Sequence, residues 1–391
     1  MNASFFIASR LRFKKKIVTA SVAISFLVMI IAVAISSGFR REIREGLSVL
    51  VGDIQLTPPD QNVLDESSPI ERSPVYLSQI ESLEGVQSVT PAVYKAGVVK
   101  NGDNIHGVLF KGVPGGGGSQ DGKALSVSIP SRLGEITSLK PGDKMLAYFV
   151  GEKVKMRQFT VAAVHDVILE ADDNLVVYAD MADLQRLMEW DENQVSAMEV
   201  ALESSYKDER SIREMTMQLG TIVNSYSKDS DSPVIATSSV SKYPQLFDWV
   251  NLIDFNVFFI LLLMTIVAGF NMISGLLIML FENISTIGLL KSLGMTDSAI
   301  SKVFLSSSAV LTGKGMLIGN LLALAFCVLQ STTHIIPLNP ENYFVPYVPV
   351  SVNFGFILLA DVVSFTVIMA LLLIPCLFIS KVDPADTVRV R

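Results

Sequence analysis

Gly117-Gly118-Ser119-Gln120-Asp121-Gly122-Lys123-Ala124 follows a strand-like run, Gly107-Val108-Leu109-Phe110, and nearly spells a phosphate-binding loop. Such a loop needs Ser or Thr after its lysine to hold magnesium, and Ala124 has no hydroxyl. The segment therefore reads as a flexible glycine-rich loop. Glu170, Asp172 and Asp173 form an acidic cluster, but the spacing of a calcium-binding loop is missing and the cluster reads as a solvated turn. His106, His165 and His334 lie far apart, and Cys327 and Cys376 are the only cysteines, so no metal-ligand spacing or disulfide framework is present in the sequence. No Ser/His/Asp or Cys/His set has a plausible geometry. The chain is expected to be non-catalytic, with no cofactor or metal of its own.

A different segment is built for mechanical work. In Glu282 to Gly294, apolar residues recur at Ile284, Ile287, Leu290 and Leu293, with Leu289 alongside, while Ser285, Lys291 and Ser292 turn away. This predicts a short amphipathic helix that Gly294 terminates, with Thr296 or Asp297 capping the next helix. From periodicity alone, the apolar row suits a lipid surface as well as a protein groove.

What positions that helix is set by hydropathy. Half of the 391 residues are apolar and only 18% are charged, where a soluble protein carries about a quarter; mean hydropathy is +0.46. The net charge of -7 excludes a phosphate-backbone binder, so no nucleic-acid partner is expected. Four apolar runs, Ile17 to Ile35, Phe255 to Phe281, about Val303 to Leu329 and about Phe354 to Ile379, each reach the ~20 residues that cross a bilayer as a helix. The first is longer than a ~7–15-residue signal core and lacks a small-x-small cleavage site, so it reads as an uncleaved anchor.

Arg10, Arg12, Lys14, Lys15 and Lys16 outweigh Arg40, Arg41 and Arg44, which are interleaved with Glu42 and Glu45. The basic end is expected in the cytoplasm, and four crossings return the C-terminus there. Phe5, Phe6, Leu11 and Phe13 among those bases read as an interfacial helix. Between the first two spans, Gly46 to Lys242 holds 17 Lys+Arg and 28 Asp+Glu, whereas residues 1–45 carry a net +6. Strand patterns (Val86–Val89, Gly107–Phe110, Lys144–Phe149, Gln158–Val164, Asn174–Tyr178) mix with helical ones (Val75–Leu83, Met181–Met188, Lys207–Asn224), and residues 58–74 read as a loop. This is a membrane protein of four transmembrane α-helices with a large α+β extracytoplasmic domain between the first two. Phe39 to Leu50 can extend the first helix as a stalk.

In the third span, Gly315 and Gly319 have the spacing that brings helices close. Lys314 sits beside them. Counted at 1.5 Å per residue, Lys314 lies ~18 Å from Lys302 and Asp361 ~30 Å from Lys381, so the two do not meet in depth. Lys314 is expected either to snorkel toward the cytoplasm or to face the bundle interior.

Val267-Ala268-Gly269-Phe270-Asn271 running to Glu282, then Ile287-Gly288-Leu289-Leu290-Lys291-Ser292-Leu293-Gly294, resembles the signature of type VII ABC-transporter permeases. These comprise the lipoprotein-releasing (Lol-type), MacB-type efflux and FtsX-type divisome proteins. Ser9-Arg10-Leu11-Arg12, Gly38-Phe39, Lys140-Pro141-Gly142-Asp143 and Asp383-Pro384-Ala385 are similar to the Lol-type branch. Asn283 departs from relatives that carry a base there.

The resemblance implies a MacB-like periplasmic domain and a bacterial inner-membrane permease subunit that extracts lipoproteins. ATP and magnesium are held by a separate cytoplasmic ABC ATPase dimer. The alternatives are a MacB-like efflux permease and an FtsX-like mechanotransmitting one. It further implies a second permease subunit, identical or not, a lipoprotein substrate and a periplasmic carrier. The carrier-capturing hairpin corresponds here to a short turn, Gly151-Glu152-Lys153-Val154. Glu282, Ile284, Ile287, Leu290, Lys291, Leu293 and Gly294 would seat in the ATPase. Leu27, Met29 and Ile31 with Phe255, Phe258, Phe259, Leu262 and Met264 would line the cargo cleft.

The implied organisation is a cytoplasmic amphipathic helix (1–16), transmembrane helix 1 with its stalk (17–45), the periplasmic domain (46–245), helix 2 (246–281), the coupling helix (282–296), helix 3 (297–330), a short periplasmic loop (331–353), helix 4 (354–380) and a tail (381–391).

Overall fold

The computed structural model describes residues 15–59, 61, 68–101, 104–117, 125–151, 154–166, 175–226, 233–339 and 343–377. The basic segment 1–14, most of the glycine-rich loop, the 170–173 acidic cluster, the tip of the 151–154 turn and Asp383-Pro384-Ala385 lie outside them. The chain forms two compact units: one comprises residues 42–247 with 338–346, the other the remaining residues.

Among the described residues, the apolar unit is built on four helices long and apolar enough to cross a membrane. They are α1 (Lys15–Val51), α7 (Pro244–Glu282), α9 (Asp297–Thr333) and α10 (Phe354–Leu371). α1 runs unbroken through the first apolar run and the stalk. α10 stops short of the apolar run that encodes it. The reason is Pro375, whose ring clashes with the carbonyl four residues earlier, that of Leu371, so the chain turns and resumes as α11 (Leu373–Cys376).

With no water to bond, helices in lipid associate through close packing and polar pairs. Both occur here. A Cβ at Gly315 would lie 2.8 Å from Val22 Cβ and one at Gly319 2.5 Å from the Ala23 carbonyl oxygen, so these glycines let α9 lie directly on α1. Asn271 Nδ2 donates to Ser21 Oγ (2.6 Å), Asn320 Nδ2 donates to Asp361 Oδ2 (2.6 Å), and the Thr265 and Ser364 hydroxyls share a 3.0 Å bond.

The second unit is an α+β domain. Its strands are β1 (Ile54–Thr57), β2 (Ile70–Glu71), β3 (Val86–Asn101), β4 (Asn104–Val113), β5 (Ser126–Pro130), β6 (Lys144–Phe149), β7 (Lys155–His165), β8 (Leu175–Asp180), β9 (Gln194–Val195), β10 (Ala197–Leu202) and β11 (Ile235–Ser238). Its helices are α2 (Leu77–Glu81), α3 (Ser131–Thr137), α4 (Met181–Met188), α5 (Glu209–Tyr226) and α6 (Ser239–Lys242). Nine strands pair in the order β11-β1-β10-β3-β4-β8-β5-β7-β6, and β6 returns to pair with β3.

Six strands therefore close into a barrel that has no free edge. The long β3 serves both halves: Val86–Ala92 pairs with β10, while Val93–Asn101 pairs with β4. Phe110, Phe149 and Phe159 meet in the core with ring centroids 4.8–6.2 Å apart. Gly97 makes room for two of them, since a Cβ there would sit 3.0 Å from Phe149 and 3.1 Å from Phe110. The 58–74 stretch, read as a loop, contains the two-residue β2 paired with β9.

Candidate functional site

The turn between α7 and α9 holds helix α8 (Ile284–Ser292). α7 ends where the buried Asn283 side chain donates back to the Met279 carbonyl at 2.8 Å. At the other end Gly294 takes φ +86°, a left-handed conformation that glycine adopts freely. Met295 N donates to Leu290 O (3.0 Å) and Gly294 N to Lys291 O (2.9 Å), the paired bonds of a Schellman stop. The Thr296 hydroxyl then caps α9 through Ala299 N, and Lys291 Nζ reaches Asp297 Oδ1 at 2.9 Å. The turn is a braced piece of structure.

Which face it offers corrects the sequence reading. Ile287 is buried, and Ile284, Leu290 and Met295 pack with it against Met279, Ile300 and Phe304 of the subunit's own helices. Of the row assigned to an external groove, Ile284, Ile287 and Leu290 are turned inward, while Leu293 stays on the surface. Lys291 is nearly covered and ion-paired, so it is no rim contact either. The exposed apolar residues are Leu289 (56%) and Leu293 (75%), with Glu282 and Gly294 also exposed. α8 is apolar on two flanks, and periodicity alone cannot say which one the bundle covers.

The aromatic residues of α7 lie together on its surface. Phe255, Phe258, Phe259 and Leu262 are each about half exposed, with Phe259 4.8 Å from Phe255 and 5.9 Å from Phe258 between ring centroids. Met264, Leu27 and Ile31 are partly exposed. Met29 is 1% exposed, buried inside the subunit, so it lines no surface and leaves the candidate set.

Asp254, immediately before Phe255, is gripped from α1 by the Ser36 hydroxyl and the Arg40 guanidinium. One turn earlier Trp249 packs edge-on against Phe39 at 5.4 Å. α1 and α7 are thus clamped beside the aromatic ladder. Sequence reasoning missed the clamp, although its signal was present: opposite charges at the matching ends of two apolar runs.

Lys314 is exposed, on a face with Val310, Leu317, Ile318 and Leu321, and does not turn into the bundle. Its neighbour Gly315 abuts Thr19 and Val22, which sets Lys314 about one helical turn from the level of Lys16. A lysine stem of roughly 6 Å is long enough to span that rise. Asp361 is held by Asn320 instead.

In the α+β domain the Ser128 hydroxyl lies 2.8 Å from His165 Nδ1, and Tyr178 packs edge-on against the imidazole. Ser128 sits on a wholly buried strand, and His165 is half-buried near the end of β7. Burial lowers the His165 pKa, against a smaller opposing pull from Asp166. A folded-state pKa below the unfolded ~6.5 means that protonation favours unfolding. The stabilisation is fully present above pH ~6.5 and is lost as pH falls below it toward the folded value. Corrected for the intrinsic exchange rate, the protection of β5 and β7 amides in the full chain should fall between pH 7 and 5, and His165→Gln should flatten that dependence. An unchanged slope in the variant would refute the assignment.

Residues 258–384 match the FtsX-like permease C-terminal family. The chain is 23% identical to the lipoprotein-releasing system transmembrane protein LolC of Neisseria meningitidis serogroup B, over 95% of this chain and 92% of that protein. To the LolE protein of Haemophilus influenzae it is 21% identical, over 99% of both. Among solved structures, the periplasmic region of MacB from Actinobacillus actinomycetemcomitans aligns with 51% of this chain and 95% of its own length, at 13% identity and a TM-score of 0.32. The chain is thus similar in residues 258–384 to the FtsX-like permease C-terminal family and, along nearly its whole length, to the transmembrane proteins of lipoprotein-releasing systems.

Proposed function

We propose that this chain is the transmembrane permease subunit of an ABC transporter that extracts lipoproteins from the bacterial inner membrane for transfer toward the outer membrane. The observation that carries the reading is the nearly full-length similarity to LolC and LolE, spanning both the helices and the α+β domain. In this reading the basic N-terminal end and the α8 turn face the cytoplasm and the α+β domain faces the periplasm. A separate ATPase dimer hydrolyses ATP with its own magnesium and docks on Leu289 and Leu293. A second permease subunit completes the cleft, and a soluble periplasmic carrier receives the cargo.

The physical task is to move acyl chains out of lipid, where each buried CH₂ is worth ~0.8 kcal/mol. The Phe255-Phe258-Phe259 ladder with Leu262, Met264, Leu27 and Ile31 offers an apolar surface that an acyl chain exchanges for lipid at little cost. The Arg40–Asp254 clamp keeps that surface in register with α1 while the subunits close. Depletion of the protein tests the reading. Lipoproteins destined for the outer membrane should then accumulate in the inner membrane, and unchanged sorting would overturn the proposal.

A further inference from the structure

The polar face of the domain sheet carries a continuous row of buried groups. α1 has no basic residue in its own last turn, so its terminal carbonyls need a partner from elsewhere. Lys111 of β4 supplies it: Nζ donates to Leu50 O at 2.6 Å and Val49 O at 3.3 Å. The same ammonium pairs with Glu199 of β10 at 2.9 Å, with both side chains buried. Glu199 also accepts from the Tyr94 hydroxyl of β3, and Gln55 Nε2 of β1 donates to that hydroxyl oxygen at 3.1 Å. Lys242, two residues before α7 begins, donates to Gln55 Oε1 at 2.5 Å.

The register makes this a row across the sheet. Gln55 stands opposite Glu199, and Tyr94 stands opposite Lys111. Residues of alternate parity (Ile54, Leu56, Val93, Met198, Val200 and Phe110) fill the apolar core on the other face. Burial and the adjacent Glu199 raise the Tyr94 pKa well above its ordinary value, so its hydroxyl stays a donor at neutral pH. A second brace parallels the row: Lys207 Nζ reaches Ser48 Oγ in α1 at 3.2 Å and the Asp53 carboxylate at 3.6 Å, while Asp53 O accepts from Ser239 N at 2.9 Å.

Stability alone does not call for such a row, since well-packed apolar side chains often replace a buried ion pair without loss. Beyond stability, it joins the last turn of α1 to the segment that leads into α7, through one residue on each of four strands. We propose that the Lys111–Glu199–Tyr94–Gln55–Lys242 row is the joint that makes the α+β domain follow displacements of α1 and α7, with Lys111 as its positioning residue. This rests on the permease function proposed above.

The test uses the permease with its partner ATPase in lipid and reads lipoprotein released per ATP hydrolysed, a ratio that loss of folded protein does not move. Lys111→Met should lower the ratio at least tenfold while ATP hydrolysis stays within twofold, and Lys111→Arg should restore it to within threefold. If Lys111→Met does not fold, Tyr94→Phe takes its place, because it interrupts the row yet keeps the Lys111 cap and the Glu199 pair. A ratio within twofold of wild type in the folded variant overturns the joint.

Amide exchange with and without a non-hydrolysable ATP analogue separates the joint from the cargo assignment. Wild type should show a nucleotide-dependent change in residues 197–202 and 235–242 that the variant lacks. Persistence of that change in the variant, or its absence from wild type, overturns the joint. A wild-type complex that releases no lipoprotein overturns the permease function instead, and the exchange comparison still decides on the joint.

Discussion

Aspartate placed at both Leu289 and Leu293 is expected to abolish ATPase docking while leaving the subunit folded. The two side chains are 56% and 75% exposed, so the free subunit loses little by the exchange. In the docked complex proposed above, each leucine would contribute roughly 1.5–3 kcal/mol of apolar burial. Losing both weakens binding by about two to four orders of magnitude, and a carboxylate left facing an apolar pocket adds to the loss.

Leu290→Asp should behave differently. Leu290 packs against the cluster formed by Ile287, Ile300 and Phe304, so a carboxylate there disrupts the subunit itself. Co-purification with the ATPase, alongside the amount of folded protein recovered, separates the two outcomes. Docking that survives the double substitution would remove Leu289 and Leu293 from the interface.

Gly319→Leu is expected to unseat α9 from α1. The new Cβ would sit 2.5 Å from the Ala23 carbonyl oxygen, 2.9 Å from Phe26 Cβ and 3.1 Å from Leu27 N. Two of those three atoms are backbone and cannot rotate away, so the helices must separate. Overpacking costs about 1–3 kcal/mol and more where backbone must move, and separation also forfeits contacts along the whole seam. Gly313→Leu is the matched control, because nothing lies within 4 Å of a Cβ there. Thermal unfolding of the detergent-solubilised chain should show a drop of many degrees for Gly319→Leu and almost none for Gly313→Leu. Equal melting of the two variants would contradict the packing.

Much of this arrangement was legible before any coordinates. Ile17–Ile35 and Phe255–Phe281 announce helices by length. β6 (Lys144–Phe149) and α4 (Met181–Met188) coincide with the segments their patterns predict, and Gly294 and Thr296 form the stop and cap expected of them. Other strands were silent. β1 and β5 are buried at every position, so they lack the alternation that marks a half-exposed strand. Lys111 and Glu199 gave no signal at all, because two charges 88 residues apart look like surface residues until a sheet aligns them.

Hydrophobic run length and the charges at run ends dictate the four helices, because a chain in hydrocarbon must satisfy its own hydrogen bonds and only a long helix does so locally. Which flank of α8 is covered, that Met29 is buried, that Asn320 rather than Lys314 holds Asp361, and that β6 closes on β3 were settled only by the folded chain. Each depends on contacts between residues far apart in sequence, where shape and burial decide among pairings that local periodicity leaves equal.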